Sequence, residues 1–244
     1  MKAQLLSDLH TEFYENALGF LKSLEFRPDL DFLLLPGDLI VPCSQGREKT
    51  KQVLGYLSEK AKHCVFCCGN HCYYHGTRRA SEEILGSVMP ENLHWLRNSL
   101  ETIEGQKFFG GVMWFPDAPH NRMYEDQLSD FLVIGGFRGW VYEENQAFRD
   151  AARRLVTDRT IVLSHHVPAY QAVHPTFRGD NLNRFFVSEM TDVILDKKPP
   201  LWVYGHTHLP GDMVIGKTRV VANPFGYPTE RPYLPPYSSV VFDI

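Results

Sequence analysis

Two histidines one residue apart, His206 and His208, follow the apolar run Leu201-Trp202-Val203-Tyr204 and a glycine, Gly205. The run reads as a short buried strand. The glycine lets the backbone turn sharply, and two imidazoles at a strand end can hold Zn, Mn, Fe or a related ion. Taken alone, the pair reads better as a solvated turn. The pattern, however, recurs upstream. Asp8 and His10 follow the strand-like residues 2–6, and Asp38 follows Asp31-Phe32-Leu33-Leu34-Leu35-Pro36-Gly37. Asn70 and His71 follow His63-Cys64-Val65-Phe66-Cys67-Cys68-Gly69, and His165 follows Thr160-Ile161-Val162-Leu163-Ser164. Carboxylates, imidazoles and an amide oxygen make up a donor set for divalent cations in which no thiolate is needed.

Such side chains act together only if the fold gathers the strand ends. Apolar positions at helical spacing predict helices over 15–24, 47–62, 81–88, 143–156 and 186–195. Further strands are expected over 107–115 and 130–136. A hairpin turns at Gly216-Lys217, between 213–215 and 219–222, and 238–242 closes a sheet. The second strand is uniformly apolar, as expected of a strand covered on both faces. Strands alternating with helices predict a layered α/β fold, in which ligands gather at the carboxyl ends of the strands. The polar stretch 169–184 is long for a connection inside a compact domain, which is usual for a functional loop.

Composition sets the outer bounds. The chain has 244 residues, 43% hydrophobic and 22% charged, enough for a sizeable core, and we read 1–244 as one domain. A net charge of −4 argues against a nucleic-acid partner, which usually meets a basic face. No apolar run is long enough to cross a membrane, and the first residues lack a signal-peptide pattern, so a cytoplasmic location is expected. Five cysteines in such a chain argue against a disulfide framework. Cys64-x-x-Cys67 suggests zinc, but on a strand these two side chains point to opposite faces, so buried free thiols are the better reading.

At the five polar clusters the chain resembles the calcineurin-like metallophosphoesterase superfamily, whose blocks are D-x-H, GD, GNH, H and G-H-x-H. The resemblance implies a four-layer αββα sandwich of two mixed sheets and a centre of two divalent ions, manganese first, with Fe, Zn, Co or Ni as alternatives. It implies that Asp8, His10 and His208 hold one ion, that Asn70, His165 and His206 hold the other, and that Asp38 bridges them. A hydroxide bridging the ions would attack phosphorus in line with the leaving oxygen. His71 would face the substrate, helping the leaving group or steadying the transition state, and an imidazole beside two cations is expected to have a lowered pKa. Residues 110–117 and 222–227 further resemble a cytosolic branch of the superfamily with no settled substrate.

Two departures bear on His71. Cys72 stands where the superfamily often has an acid, and no acid follows Asp38 in Leu39-Ile40-Val41-Pro42-Cys43. His166 neighbours His165 but points the other way on an extended chain, and is expected to line the pocket. Arg138, Arg178, Arg184 and Trp114 are candidate substrate contacts, arginine because its fork suits phosphate. The remaining histidines, His63 and His94 among them, lack partner spacing and read as surface or packing residues. The expected activity is hydrolysis of a small phosphomonoester or phosphodiester, possibly of a nucleotide. A protein phosphatase of the same chemistry and a non-catalytic scaffold on this fold are the alternatives.

Overall fold

A computed structural model describes residues 1–244. Its strands are β1 (Lys2–Leu5), β2 (Phe32–Pro36), β3 (His63–Cys67), β4 (Leu93–Trp95), β5 (Ser99–Ile103), β6 (Gln106–Gly111), β7 (Thr160–Ser164), β8 (Leu201–Tyr204), β9 (Gly211–Ile215), β10 (Thr218–Ala222) and β11 (Val240–Asp243). Its helices are α1 (Ala17–Ser23), α2 (Pro42–Ser58), α3 (Arg78–Val88), α4 (Ser129–Val133), α5 (Val141–Leu155), α6 (Asn183–Phe186) and α7 (Thr191–Lys197). The strands form two mixed sheets, ordered β11-β1-β2-β3-β4 and β5-β6-β7-β8-β10-β9. The inner strands are parallel; β11, β5 and β9 run antiparallel at the edges.

Three apolar layers hold the sheets and helices together. Between the sheets, Leu5, Phe32, Leu34 and Val65 meet Phe108, Ile161, Leu163 and Val203. Outside the first sheet, Leu33, Leu35 and Phe66 pack against Leu21, Val53, Leu54, Leu57 and Leu85 of α1, α2 and α3. Outside the second, Phe109, Val162 and Trp202 pack against Phe148, Ala152, Val193 and Ile194 of α5 and α7. The result is the expected αββα order. It accounts for the uniformly apolar β2, every residue of which is buried.

The structure corrects several element expectations. Residues 130–136 are not a strand, because Ser129–Val133 form a helical turn in which the Ile134 N–H donates to the Asp130 carbonyl. Leu132 is 69% exposed while Asp130 is buried, so alternation does not set the faces here. The single helix over 186–195 is two short ones, α6 and α7, separated where Val187 bridges Val167. The strand over 107–115 ends at Gly111, since Met113 and Trp114 adopt positive φ. Strands β4 and β5 carry no clear apolar pattern and were not expected. The closing strand β11 pairs with β1, at the edge of the first sheet. His63 and His94 are neighbours across β3 and β4, 3.3 Å between Nδ1 and Nε2.

The cysteines follow the strand geometry. Cys64 and Cys68 face the helix side of the first sheet, and Cys67 faces the inter-sheet layer. All five are free thiols and only Cys43 is partly exposed. Burial pushes the Cys64 thiol up to about 12. The native protein should therefore present a bulky thiol reagent with one rapidly labelled cysteine, Cys43, and all five only after denaturation. Fast labelling of Cys67 in the folded state would contradict this placement.

Candidate metal centre

The five polar clusters lie at the carboxyl ends of β1, β2, β3, β7 and β8, where the two sheets meet. The chain turns so tightly at these ends that Asp8, His10, Asp38, His206 and His208 all adopt positive φ, between 45° and 74°. For residues other than glycine this conformation is uncommon and persists only where the surroundings enforce it. Glycines give the side chains room. A Cβ on Gly69 would overlap the Asp38 carboxylate, and one on Gly205 would sit 2.5 Å from Asp8 Oδ2.

Two donor sets result. In the first, donor atoms of Asp8, His10 and His208 lie within 4.8 Å of one another. His10 Nδ1 is 3.0 Å from Glu12 Oε1, and His208 Nδ1 is 2.6 Å from Glu230 Oε2. With both Nδ1–H groups donated to carboxylates, each ring turns a lone pair inward from Nε2. These two Nε2 atoms are 2.9 Å apart. In the second set, Asp38, His165 and His206 come equally close. His165 donates Nδ1–H to the Pro36 carbonyl, leaving Nε2 2.9 Å from Asn70 Oδ1 and 3.1 Å from Asp38 Oδ2. Buried acceptors facing acceptors are costly unless a proton or a cation lies between them. Asp8 Oδ2 and His206 Nε2 are also buried with no hydrogen-bond partner. These orphaned atoms and the donor chemistry fit divalent ions.

Asp38 stands between the sets. Its Oδ2 is also 3.9 Å from His10 Nε2, and its Oδ1 accepts the His71 N–H at 2.9 Å. Burial acts to raise its pKa, but the imidazoles of His165 and His71 outweigh burial and hold it well below the usual carboxylate range. Burial would likewise lower His165, yet the Asp38 charge beside it raises it to about 9. A proton on His165 and a cation at the same place thus serve the same carboxylate.

Sequence comparison agrees with this geometry: a model of the calcineurin-like phosphoesterase family matches residues 1–210. The chain belongs to that family. The uncharacterised protein L509 of Acanthamoeba polyphaga mimivirus is 22% identical, the match covering 98% of this chain and 95% of the viral one. Among solved structures, the phosphopantetheinyl hydrolase of Mycobacterium tuberculosis superposes with a TM-score of 0.76 at 16% identity, over 97% of this chain and 93% of that one. The protein TT1561 of Thermus thermophilus superposes at 0.50 with 14% identity, over 91% and 88%. Both show that the fold is that of the metallophosphoesterases.

In this phosphoesterase the orienting groups are the ones that motif reading missed. Glu12, two residues after His10, takes the place of the absent acid after Asp38: its Oε1 also lies 2.9 Å from His71 Nδ1. The other nitrogen of His71, Nε2, is 2.9 Å from the Tyr227 hydroxyl. His71 also falls in a donor group with His10 and Asp38, but both its ring nitrogens are thus engaged. Without the ions, the protein's own groups raise the His71 pKa: burial acts to lower it, and the Asp38 charge and the Glu12 hydrogen bond outweigh burial. Asp130 accepts from Asn70 Nδ2 at 2.8 Å and from the Tyr74 hydroxyl at 2.7 Å, which aims Asn70 Oδ1 at His165. Glu230 fixes His208 as described. The one available signal was the D-x-H-x-E spacing of Asp8, His10 and Glu12.

Other expected contacts lie elsewhere. His166 does not line the pocket: it is fully buried beneath His206, with ring centroids 4.3 Å apart. Burial and neighbouring His165 lower it to about 3, so it packs as a neutral ring. Trp114 is buried among Tyr73, Phe137 and Trp140 and cannot reach a substrate. Arg138 is paired with Glu125. Arg184 donates to the carbonyls of Asn181 and Pro119 and lies over the Tyr124 ring. Arg178 borders a separate depression beside His174 and Leu209. None of the three arginines lines the cleft over the donor sets.

Proposed function

We propose that this protein is a hydrolase of small phosphomonoesters or phosphodiesters that uses two divalent ions, manganese first among the candidates. Asp8, His10 and His208 would hold one ion, Asn70, His165 and His206 the other, and Asp38 both. The observation that carries this reading is the inward convergence of imidazole nitrogens with carboxylate and amide oxygens from five strand ends, among which Asp8 Oδ2 and His206 Nε2 are buried without a partner. When bound, the ions would supply an activated water and neutralise charge on the phosphoryl oxygens. The chain does the rest. Glu12, Glu230, Asp130 and Pro36 fix the rings and the amide, so that little reorganisation is needed when substrate arrives. His71, held by Glu12, lines the same cleft, and its Nε2 would donate to a leaving oxygen that takes the place of the Tyr227 hydroxyl. The free cysteines suit a reducing, cytoplasmic compartment. No helix is long and apolar enough to cross a membrane. The fold likeness to a phosphopantetheinyl hydrolase makes a phosphopantetheinyl ester one compound to include among substrates.

The test is to strip the purified protein with a chelator, reload it with Mn, Fe, Zn, Co or Ni, and assay phosphomonoesters, diesters and cyclic nucleotides. About two ions per chain, with activity lost on stripping and regained on reloading, is the expected result. Protein that takes up no ion would favour the scaffold alternative. Activity indifferent to the chelator would remove the metal centre from the reaction.

A further inference from the structure

The cleft over the donor sets is about 360 Å³ and continues from them along the 169–186 stretch. Its far wall is apolar: Leu128, Val167, Val173, Phe177, Leu182 and Phe186. The wall begins at the site itself, since the Phe186 ring lies 4.5 Å from that of His206, tilted by only 31°. Among all its lining residues there is no lysine and no arginine, while the acids Asp130, Asp180 and Glu230 belong to the lining. A phosphate needs a cationic or N–H-rich partner to leave water, and this arm of the cleft offers hydrocarbon, Asp180 and the neutral Ser129, Asn183 and Thr207, but no cation.

We propose that this arm is a subsite for an uncharged, largely apolar substituent of the phosphoester, and that it rejects a second phosphate. The inference rests on the phosphoesterase reading above and narrows its substrate class. Only one phosphoryl group can be accommodated, at the donor sets; whatever it esterifies lies against Phe186, Leu182 and Phe177. Nucleoside di- and triphosphates and sugar bisphosphates are thereby disfavoured, and esters of extended neutral alcohols are favoured. Phe177 is 40% exposed at the cleft's outer end, and Asp180 is exposed, so both can be altered with little effect on the core.

The experiment is a series of n-alkyl monophosphates from methyl to octyl, each compared with the α,ω-alkanediol bisphosphate of equal length, using the metal-loaded protein. Phosphate release is measured, with 4-nitrophenyl phosphate as a reporter of basic activity. The kcat/KM should rise about three- to fourfold per methylene until the arm is filled. Each long bisphosphate should run at least about tenfold below its monophosphate, a modest like-charge penalty in a partly solvated site. Phe177→Ala should flatten the chain-length slope while leaving methyl phosphate unchanged. Asp180→Lys should lessen the bisphosphate penalty. Hydrolysis of 4-nitrophenyl phosphate with no chain-length slope, or with bisphosphates as good as monophosphates, overturns the subsite but not the phosphoesterase. No hydrolysis of any ester by metal-loaded protein overturns the phosphoesterase reading itself.

Discussion

Asp38→Ala is expected to leave the purified protein with neither ion and with phosphoesterase activity lowered by at least about 10³-fold, the several kcal/mol that metal-based charge stabilisation contributes. The reason is Asp38's place between the two donor sets, 3.1 Å from His165 Nε2 and 3.9 Å from His10 Nε2. Two divalent ions about 4 Å apart, the spacing typical of two-metal sites, repel with about 16 kcal/mol at an effective dielectric near 20, four times the unit-charge value. One carboxylate facing both is the main counterweight that the chain provides. Asp38 also accepts the His71 N–H and sits at φ 51°, so alanine could disturb the turn. Asp38→Asn keeps the shape and removes only the charge, and should bind at most one ion while melting as a folded protein. Metal content by mass spectrometry and thermal melts decide it. Two ions retained in folded Asp38→Asn would dismiss Asp38 as the bridge.

The second large effect concerns the leaving group. General acid catalysis is worth about 10²–10⁴-fold and matters most when a strongly basic alkoxide departs. A nitrophenolate needs no proton. If His71 donates, His71→Gln should slow alkyl esters by about 10²-fold or more and nitrophenyl esters far less. The protein favours the protonated ring, since Asp38 and Glu12 together outweigh burial and raise its pKa; the ions act in the opposite sense. A pKa raised in this way keeps the proton in place to higher pH, and the proton is lost as pH rises through it, so alkyl-ester turnover should fall first on the alkaline side. Glu12→Gln should give a milder form of the same defect, because it loosens His71 without removing it. Equal losses for both leaving-group classes in His71→Gln would assign the histidine to phosphoryl binding instead.

The donor residues could be read from the sequence because each sits directly after an apolar strand, where chain position and spatial position coincide. What holds them could not. Asp130 reaches Asn70 from 60 positions away and Glu230 reaches His208 from 22, and no spacing rule connects them. Asp130 was further hidden by its short apolar neighbours, which read as a strand and fold as a turn. Arginines were expected at the phosphate on chemical grounds, yet Arg138 and Arg184 are committed to Glu125 and to backbone carbonyls. The layered architecture was legible from alternation alone. The edge strands β4 and β5 were not, because their half-exposed faces mix polar and apolar residues.

The left-handed backbone at Asp8, His10, Asp38, His206 and His208 also bears on how this chain can drift. Each such residue holds a conformation that costs about 1–2 kcal/mol for an L-amino acid with a Cβ, and that glycine, or to a lesser degree asparagine, adopts more readily. In a lineage that no longer needed the ions, replacement of these residues by glycine would relieve backbone strain, and acceptors facing acceptors would disappear at the same step. Loss of the centre is therefore downhill in stability. A homologue that has abandoned catalysis should therefore betray itself by glycine or asparagine at these five turns before its core changes at all.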